Sequence, residues 1–217
     1  MKYKVISFDL DGTLVKEDFD NLVWNEEIPK LYAEKYSLPV AKAKEEVFAE
    51  YEKLRGRTNR WTDIGFWFNR FNLDNYKRLL DDMKYHICLF EDTLPVIKEL
   101  NKDFRLIIIS NAERKFLDIK IKAEGLNNYF QHVFSAPSDF HTLTKGHNVF
   151  IKVCDTLKIR TSQIVHVGND LITDYEVPAR AGIRSFLLDR SGKTRGSHVV
   201  HNLYEFKNKV LKLQTQS

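Results

Sequence analysis

Strand patterns alternate with helix patterns along this chain, and that alternation points to an open parallel sheet with helices packed on its faces. The run Lys4-Val-Ile-Ser-Phe-Asp9 predicts a first strand, stopped by the glycine and small polar residues of Leu10-Asp-Gly-Thr-Leu14. Four further apolar runs read as buried parallel strands: Leu106 to Ile109, a weaker one at His132 to Phe134, Ile164 to Val167, and Ser185 to Leu188. Helix patterns separate them: Thr93 to Asn101 with Pro95 in its first turn, Glu113 to Glu124 closed by Gly125, Asn148 to Leu157, and Asp174 to Ala181 closed by Gly182. Sheets of this kind place their chemistry beyond the carboxyl ends of the strands, where chain directions diverge.

From residue 16 to 89 the alternation stops. Val40, Ala43, Val47, Tyr51 and Leu54 recur at helical spacing, as do Trp61, Ile64, Phe68 and Phe71, which predicts an insert of three or four amphipathic helices. The expected organisation is an α/β core formed by residues 1–15 and 90–217, interrupted by an all-helical domain of residues 16–89. No internal repeat or low-complexity segment is present, and the polar end from Gln214 to Ser217 is expected to fray.

A chain of 217 residues with 43% hydrophobic and 29% charged residues can bury a core and has the balance of a soluble globular protein. No apolar run approaches the roughly 18 residues of a membrane span. The start Met-Lys-Tyr-Lys-Val-Ile runs into a strand pattern rather than a signal sequence. The expectation is a cytoplasmic protein with neither membrane nor nucleic acid as partner. A net charge of +4 suits an anionic substrate and equally a solvated surface. Cys88 and Cys154 have no metal-ligand spacing and predict two half-buried thiols.

The densest chemistry is Asp9-Leu-Asp-Gly-Thr13 at the end of the first strand. Two carboxylates two residues apart, beside a glycine that frees the backbone, can supply a nucleophile and an acid/base on one loop. An acidic turn that merely ends a strand has the same look. The second strand runs into Ser110-Asn111, which could hydrogen-bond a transferring phosphoryl group or cap the next helix. Lys145 stands in a loop before a helix, as many solvated lysines do. The fourth strand ends in His166-Val-Gly-Asn-Asp170, with Asp174 following, and these carboxylates are either hard oxygen ligands for Mg²⁺ or helix caps.

Taken in order, these segments resemble the haloacid dehalogenase superfamily: an Asp-x-Asp-Gly-Thr loop, a strand-end Ser, a Lys, then a glycine followed by acidic residues. The resemblance covers residues 4–14 and about 90–189 and extends to Ala179-Arg-Ala-Gly182. It implies a Rossmann-like core whose helical insert is a cap, and Mg²⁺-dependent hydrolysis of a small phosphorylated metabolite through an aspartyl-phosphate. By resemblance, Asp9 is the nucleophile and Asp11 the acid/base. Ser110 and Asn111 bind the phosphoryl group, and Lys145 offsets negative charge there. The Asp9 carboxylate, the Asp11 backbone carbonyl and an acidic residue of the last motif, Asp170 or Asp174, would hold the metal.

The family usually has Asp directly after the glycine of its last motif, whereas this chain has Asn169, with Asp170 next. Gly146 follows Lys145 where the family often has Pro, and Lys152 is the runner-up lysine. His141, His147 and His166 lack ligand spacing, and His166 in a buried strand predicts a hydrogen-bonded core histidine. Dehalogenases of the superfamily resemble Asp-x-Tyr-Gly-Thr at the first motif, so Asp11 favours phosphate chemistry. A phosphomutase shares the whole set. A non-catalytic binding protein on the same core would have no chemical reason to keep Asp9, Asp11, Ser110 and Lys145 together. Arg55, Arg57, Arg60, Trp61 and Arg70 are the candidate contacts to the substrate's leaving group, and neither the substrate nor the oligomeric state is readable from the chain.

Overall fold

The computed structural model describes residues 3–215. Its centre is a sheet of six strands, β1 (Val5–Phe8), β2 (Arg105–Ser110), β3 (Phe130–Ser135), β4 (Ile164–Gly168), β5 (Arg184–Leu188) and β6 (Val199–Val200). The strands are all parallel, in the order β3-β2-β1-β4-β5-β6. Alternate residues serve opposite faces. Ile6, Phe8, Leu106, Ile108, Val165 and Val167 pack against the helices Thr93–Leu100, Arg114–Ala123 and Leu203–Thr215, while Val5, Ile107, Ile109 and Ile164 pack against the helix His147–Leu157. The α/β Rossmann-like core read from the sequence is therefore present. Chain direction diverges on either side of β1, between β2 and β4, and the loops beyond those three strands meet there.

Between β1 and β2 the chain forms the helices Asp18–Leu22 and Ile28–Tyr36, joined without a break by a wide helical turn Val23–Glu27, then Val40–Leu54, Ile64–Arg70 and Tyr76–Met83. Val47, Ile64, Trp67 and Phe71 belong to the same apolar cluster as Phe8 and Val165, so these helices share a core with one face of the sheet. The chain leaves β1 and returns to β2 through adjacent segments. Lys16 N–H donates to Cys88 O at 2.8 Å, Phe90 N–H donates to Leu14 O at 3.1 Å, and Val15 pairs antiparallel with Leu89.

Several expectations need correction. Trp61 is not on the helix of Phe68: Asp63 caps that helix by accepting from Gly65 N–H at 2.9 Å, and Trp61 lies in the preceding short turn Asn59–Thr62. Neither Ser110 nor Asn111 caps the helix after β2, because Glu113 does, accepting from Lys115 N–H at 3.0 Å. β6 and the helix Leu203–Thr215 were not anticipated. Gln214 does not fray, since it exchanges two hydrogen bonds of 3.0 Å with the Tyr3 backbone; residues 216 and 217 lie outside the described residues. Neither thiol is half-buried: Cys88 is exposed and Cys154 buried, both unbridged. Among the described residues no helix is long and apolar enough to cross a membrane.

Candidate active site

Asp9 is the first residue beyond β1, and its backbone N–H donates to Val167 O of β4 at 2.9 Å, so the sheet itself fixes where its side chain starts. The loop then turns sharply at Gly12, where φ is +75° and a Cβ would lie 2.2 Å from the Asn169 amide nitrogen. Only glycine satisfies both conditions. Thr13 Oγ1 donates to Asn169 Oδ1 at 3.4 Å, tying the β1 loop to the β4 loop.

Beneath this loop, the Lys145 ammonium bridges two carboxylates. It donates to Asp9 Oδ1 and, at 2.5 Å, to Asp174 Oδ1, and all three side chains are almost fully enclosed. Burial alone would lower the lysine's pKa, but Asp174 and Asp9 outweigh it and hold the ammonium charged. The two carboxylates then divide unequally. Asp174 takes three donors: Lys145, His166 Nε2 at 3.0 Å and Asp170 N–H at 3.0 Å. Against the opposing effect of burial, Lys145 and His166 hold its carboxyl below the usual range. Asp9 shares only Lys145, and burial pushes its carboxyl up to about 7.

His166 is the hydrogen-bonded core histidine expected from its strand, but its partner makes it part of the site. Its Nδ1 lies 2.8 Å from Ser7 Oγ, and burial lowers its pKa, so the ring is neutral. With the ring neutral, Nε2–H donates to Asp174 and Nδ1 accepts from Ser7, whose hydroxyl also lies 3.3 Å from Val165 O and shares its one hydrogen between the two acceptors. His141 and His147 lie exposed, away from it.

A second buried ammonium was not anticipated. Lys120, fully buried on the helix Arg114–Ala123, donates to Asp11 Oδ1 at 2.5 Å and to Asp20 Oδ2. Phe116, Leu117, Lys120 and Ile121 form that helix's buried stripe, so a lysine standing in an apolar stripe was the available signal. Burial pushes the Asp20 carboxyl up to about 6.

Of the remaining candidates, Ser110 Oγ accepts from Ala112 N–H at 3.0 Å, and Asn111 Oδ1 accepts from Lys145 N–H at 2.7 Å, which ties the lysine's loop to the end of β2. Asp170 has a bond set of its own, its Oδ1 capping the next helical turn by accepting from Ile172 and Thr173 N–H at 3.0 and 2.7 Å. Asp9, Asp11, Ser110, Asn111, Lys145, Asp170 and Asp174 all face one cleft of about 640 Å³, whose other wall comes from the insert, including Trp24, Tyr51, Arg55 and Trp61. Arg57, Arg60 and Arg70 do not line it, and Lys152 is exposed on its helix.

Among the described residues no three His, Cys, Asp or Glu side chains are already arranged around a metal position. The charge balance nevertheless fits a divalent cation. Asp9 and Asp174 share the Lys145 ammonium and Asp11 and Asp20 share that of Lys120, so four carboxylates face two ammonium groups and the surplus negative charge lies along the cleft.

A sequence model of the haloacid dehalogenase-like hydrolases matches residues 3–182. The chain is 26% identical over 140 residues to the GMP/IMP nucleotidase YrfG of Escherichia coli (strain K12), a match spanning 62% of each protein. It is 24% identical over 212 residues to the N-acylneuraminate-9-phosphatase of Rattus norvegicus, covering 88% of this chain and 84% of that one. In fold it resembles a phosphatase from Thermococcus onnurineus, with a TM-score of 0.83, 24% identity and coverage of 95% and 97%. It also resembles a 2-haloacid dehalogenase from Pseudomonas syringae pv. Tomato DC3000, with a TM-score of 0.67, 19% identity and coverage of 97% and 99%. With the carboxylates of the β1 loop, the buried lysine and the parallel sheet in place, and with the family pattern running through most of its length, the chain belongs to the haloacid dehalogenase-like hydrolases.

Proposed function

We propose that the chain is a cytoplasmic Mg²⁺-dependent phosphatase that hydrolyses a small phosphomonoester through a phosphorylated Asp9. The observation that carries this reading is the pairing of Asp9 with the buried Lys145 while the Asp11 carboxylate opens onto the same cleft. A free oxygen of Asp9 attacks phosphorus, the ester P–O bond breaks, and Asp11 gives its proton to the leaving oxygen. Water, its proton taken by Asp11, then attacks phosphorus, and phosphate leaves as the Asp9 carboxylate is restored. Lys145 keeps its charge through both steps and offsets the anionic groups beside it. Ser110 offers a hydroxyl to a phosphoryl oxygen. Asp9, the Asp11 carbonyl and a side chain from the Asn169, Asp170 and Asp174 group would hold Mg²⁺, which supplies charge neutralisation between the anionic carboxylate and the anionic phosphate.

In this reading residues 16–89 act as a cap that faces the leaving group. Trp24, Phe48, Tyr51 and Trp61 give the wall planar apolar surfaces; of its carboxylates Asp20 is paired with Lys120 and Glu52 with Arg55, which leaves Glu17 without an ion pair among the described residues. Among the described residues Arg55 is the one basic side chain on that wall, and it is paired with Glu52 at 2.8 Å. Such a wall favours an uncharged leaving group with a planar ring over one bearing a carboxylate. Of the two named relatives, the nucleotidase acts on the first kind of substrate.

Purified protein with Mg²⁺, assayed for phosphate release from nucleoside monophosphates and sugar phosphates, tests the reading, and Asp9→Asn should abolish turnover because an amide cannot form the acyl phosphate. Halide release from 2-haloacids without phosphatase activity would move the chain to the dehalogenases. Full activity in excess EDTA would remove the metal.

A further inference from the structure

Lys120 lies outside the four segments that carry the family resemblance, yet it touches Asp11 in one of them. Its helix enters the core with Phe116, Leu117 and Ile121, and the lysine stands among them with its ammonium between Asp11 and Asp20. The rings of Phe116 and Phe19 lie 5.6 and 5.8 Å from Nζ and close off solvent. Taking an ammonium out of water costs several kcal/mol even after relaxation, and a well-packed apolar side chain at such a place is often as stable or more so. Stability therefore gives little reason for a lysine here. Its position against Asp11 gives a better one.

Asp20 supplies the second half of the device. It comes from the first helix beyond the β1 loop, and its Oδ2 accepts from Lys120 while its Oδ1 is buried without a hydrogen-bond partner. The ammonium thus keeps a carboxylate beside it, with an unused oxygen in reserve, whichever way the Asp11 side chain turns.

We propose that Lys120, anchored by Asp20, is a positioning residue for Asp11, holding one carboxylate oxygen so that the other addresses the leaving oxygen of the ester. Asp11 passes its proton directly to that oxygen, and Lys120 exchanges none. The inference rests on the phosphatase reading above and adds to it a residue that acts through Asp11 alone.

The dependence on leaving group tests it. Esters with a basic alkoxide leaving group need the proton from Asp11, whereas p-nitrophenolate leaves without it. Lys120→Met should therefore lower kcat/KM for an alkyl phosphate such as glycerol phosphate by about 10–10²-fold, less than outright loss of a general acid, and for p-nitrophenyl phosphate by less than about threefold. Asp20→Asn, which keeps the side chain's size, should show the same selectivity with a smaller loss and serves if Lys120→Met does not fold. In an Asp11→Ala background, Lys120→Met should cost nothing further, since the two act as one unit. Equal losses for both esters, no loss for either, or a further loss without Asp11 overturns the inference while leaving the phosphatase reading in place. A wild type that hydrolyses neither ester overturns both.

Discussion

Asp174 fills the space that a side chain at position 168 would need: a Cβ on Gly168 would lie 2.3 Å from the Asp174 Cγ. Gly168→Ala must therefore displace the carboxylate on which Lys145, His166 and the Asp170 N–H converge. The expected cost is about 1–3 kcal/mol in overpacking and lost bonds. Turnover should fall at least about tenfold, a loss of some 1.4 kcal/mol in transition-state stabilisation. Urea unfolding and steady-state kinetics of the variant check both, and wild-type values in either would contradict the packing described.

The last motif should divide stability from metal binding. Because Asp170 Oδ1 caps two backbone N–H groups, Asp170→Ala should cost about 1 kcal/mol and Asp170→Asn only a few tenths. Asp174→Ala should raise the Mg²⁺ concentration for half-maximal rate more than Asp170→Ala does. Metal titrations of the variants, with Asn169→Ala beside them, decide the ligand: the reverse order would assign it to Asp170, and a large effect confined to Asn169→Ala would assign it to the amide.

Stability should depend on pH and metal together. Burial raises the Asp9 carboxyl to about 7 and that of Asp20 to about 6. An acid whose folded pKa exceeds its unfolded value, near 3.9, binds more protons when folded, so its contribution is present at low pH and lost as pH rises through the folded value. Asp174, held below its ordinary range, acts oppositely and adds stability that is lost as pH falls through that lower range. Metal-free protein should thus lose melting temperature between pH 5 and pH 8 on account of Asp9 and Asp20. Mg²⁺ should restore it chiefly at pH 8, where protons no longer neutralise the cluster. Thermal scans with and without Mg²⁺ at both pH values show this, and a Mg²⁺ effect equal at the two would count against it.

Leaving-group selection should reside in the insert. Trp61 faces the cleft, and the hydrogen bond it gives the fold, from Trp67 Nε1 to its backbone oxygen at 2.8 Å, survives removal of its side chain. If it stacks on a planar base, worth about 1–3 kcal/mol, Trp61→Ala should raise KM for a nucleoside monophosphate roughly 5–150-fold. KM for glycerol phosphate should stay unchanged. Equal shifts for both substrates would remove the stacking role.

Five of the six strands were legible because each is a short run stopped by a turn, and the order of Asp9, Ser110, Lys145 and Asp174 along the chain was enough to put them on one cleft. Residues whose role depends on a partner distant in sequence were harder to read. In Asp118-Ile-Lys-Ile-Lys122 two lysines look alike, and only packing separates the buried Lys120 from the exposed Lys122. His166 could be placed in the core but not against Asp174, because that contact depends on how the β4 loop folds back. The roles of Asp170 as cap and Asp174 as acceptor were interchangeable on paper, since either fits the start of a helix. β6, at two residues, is too short to show a period, whereas the spacing of Leu203, Phe206 and Val210 was a usable helix signal that lay beyond every motif.

The rung between Val15 and Leu89 has a consequence for how such a chain could be altered. Because the departing and returning segments are hydrogen-bonded to each other, the path from β1 towards β2 is closed at that rung, and what lies beyond it meets the sheet through its apolar face. Closing a longer or shorter excursion at that rung changes its entropy only slowly, by about 0.6 kcal/mol for each doubling of length. The position is thus a natural splice point, where one helical insert could be exchanged for another with the strands left in register. Any graft, however, must bring its own counterpart of Asp20, or Lys120 would face Asp11 alone.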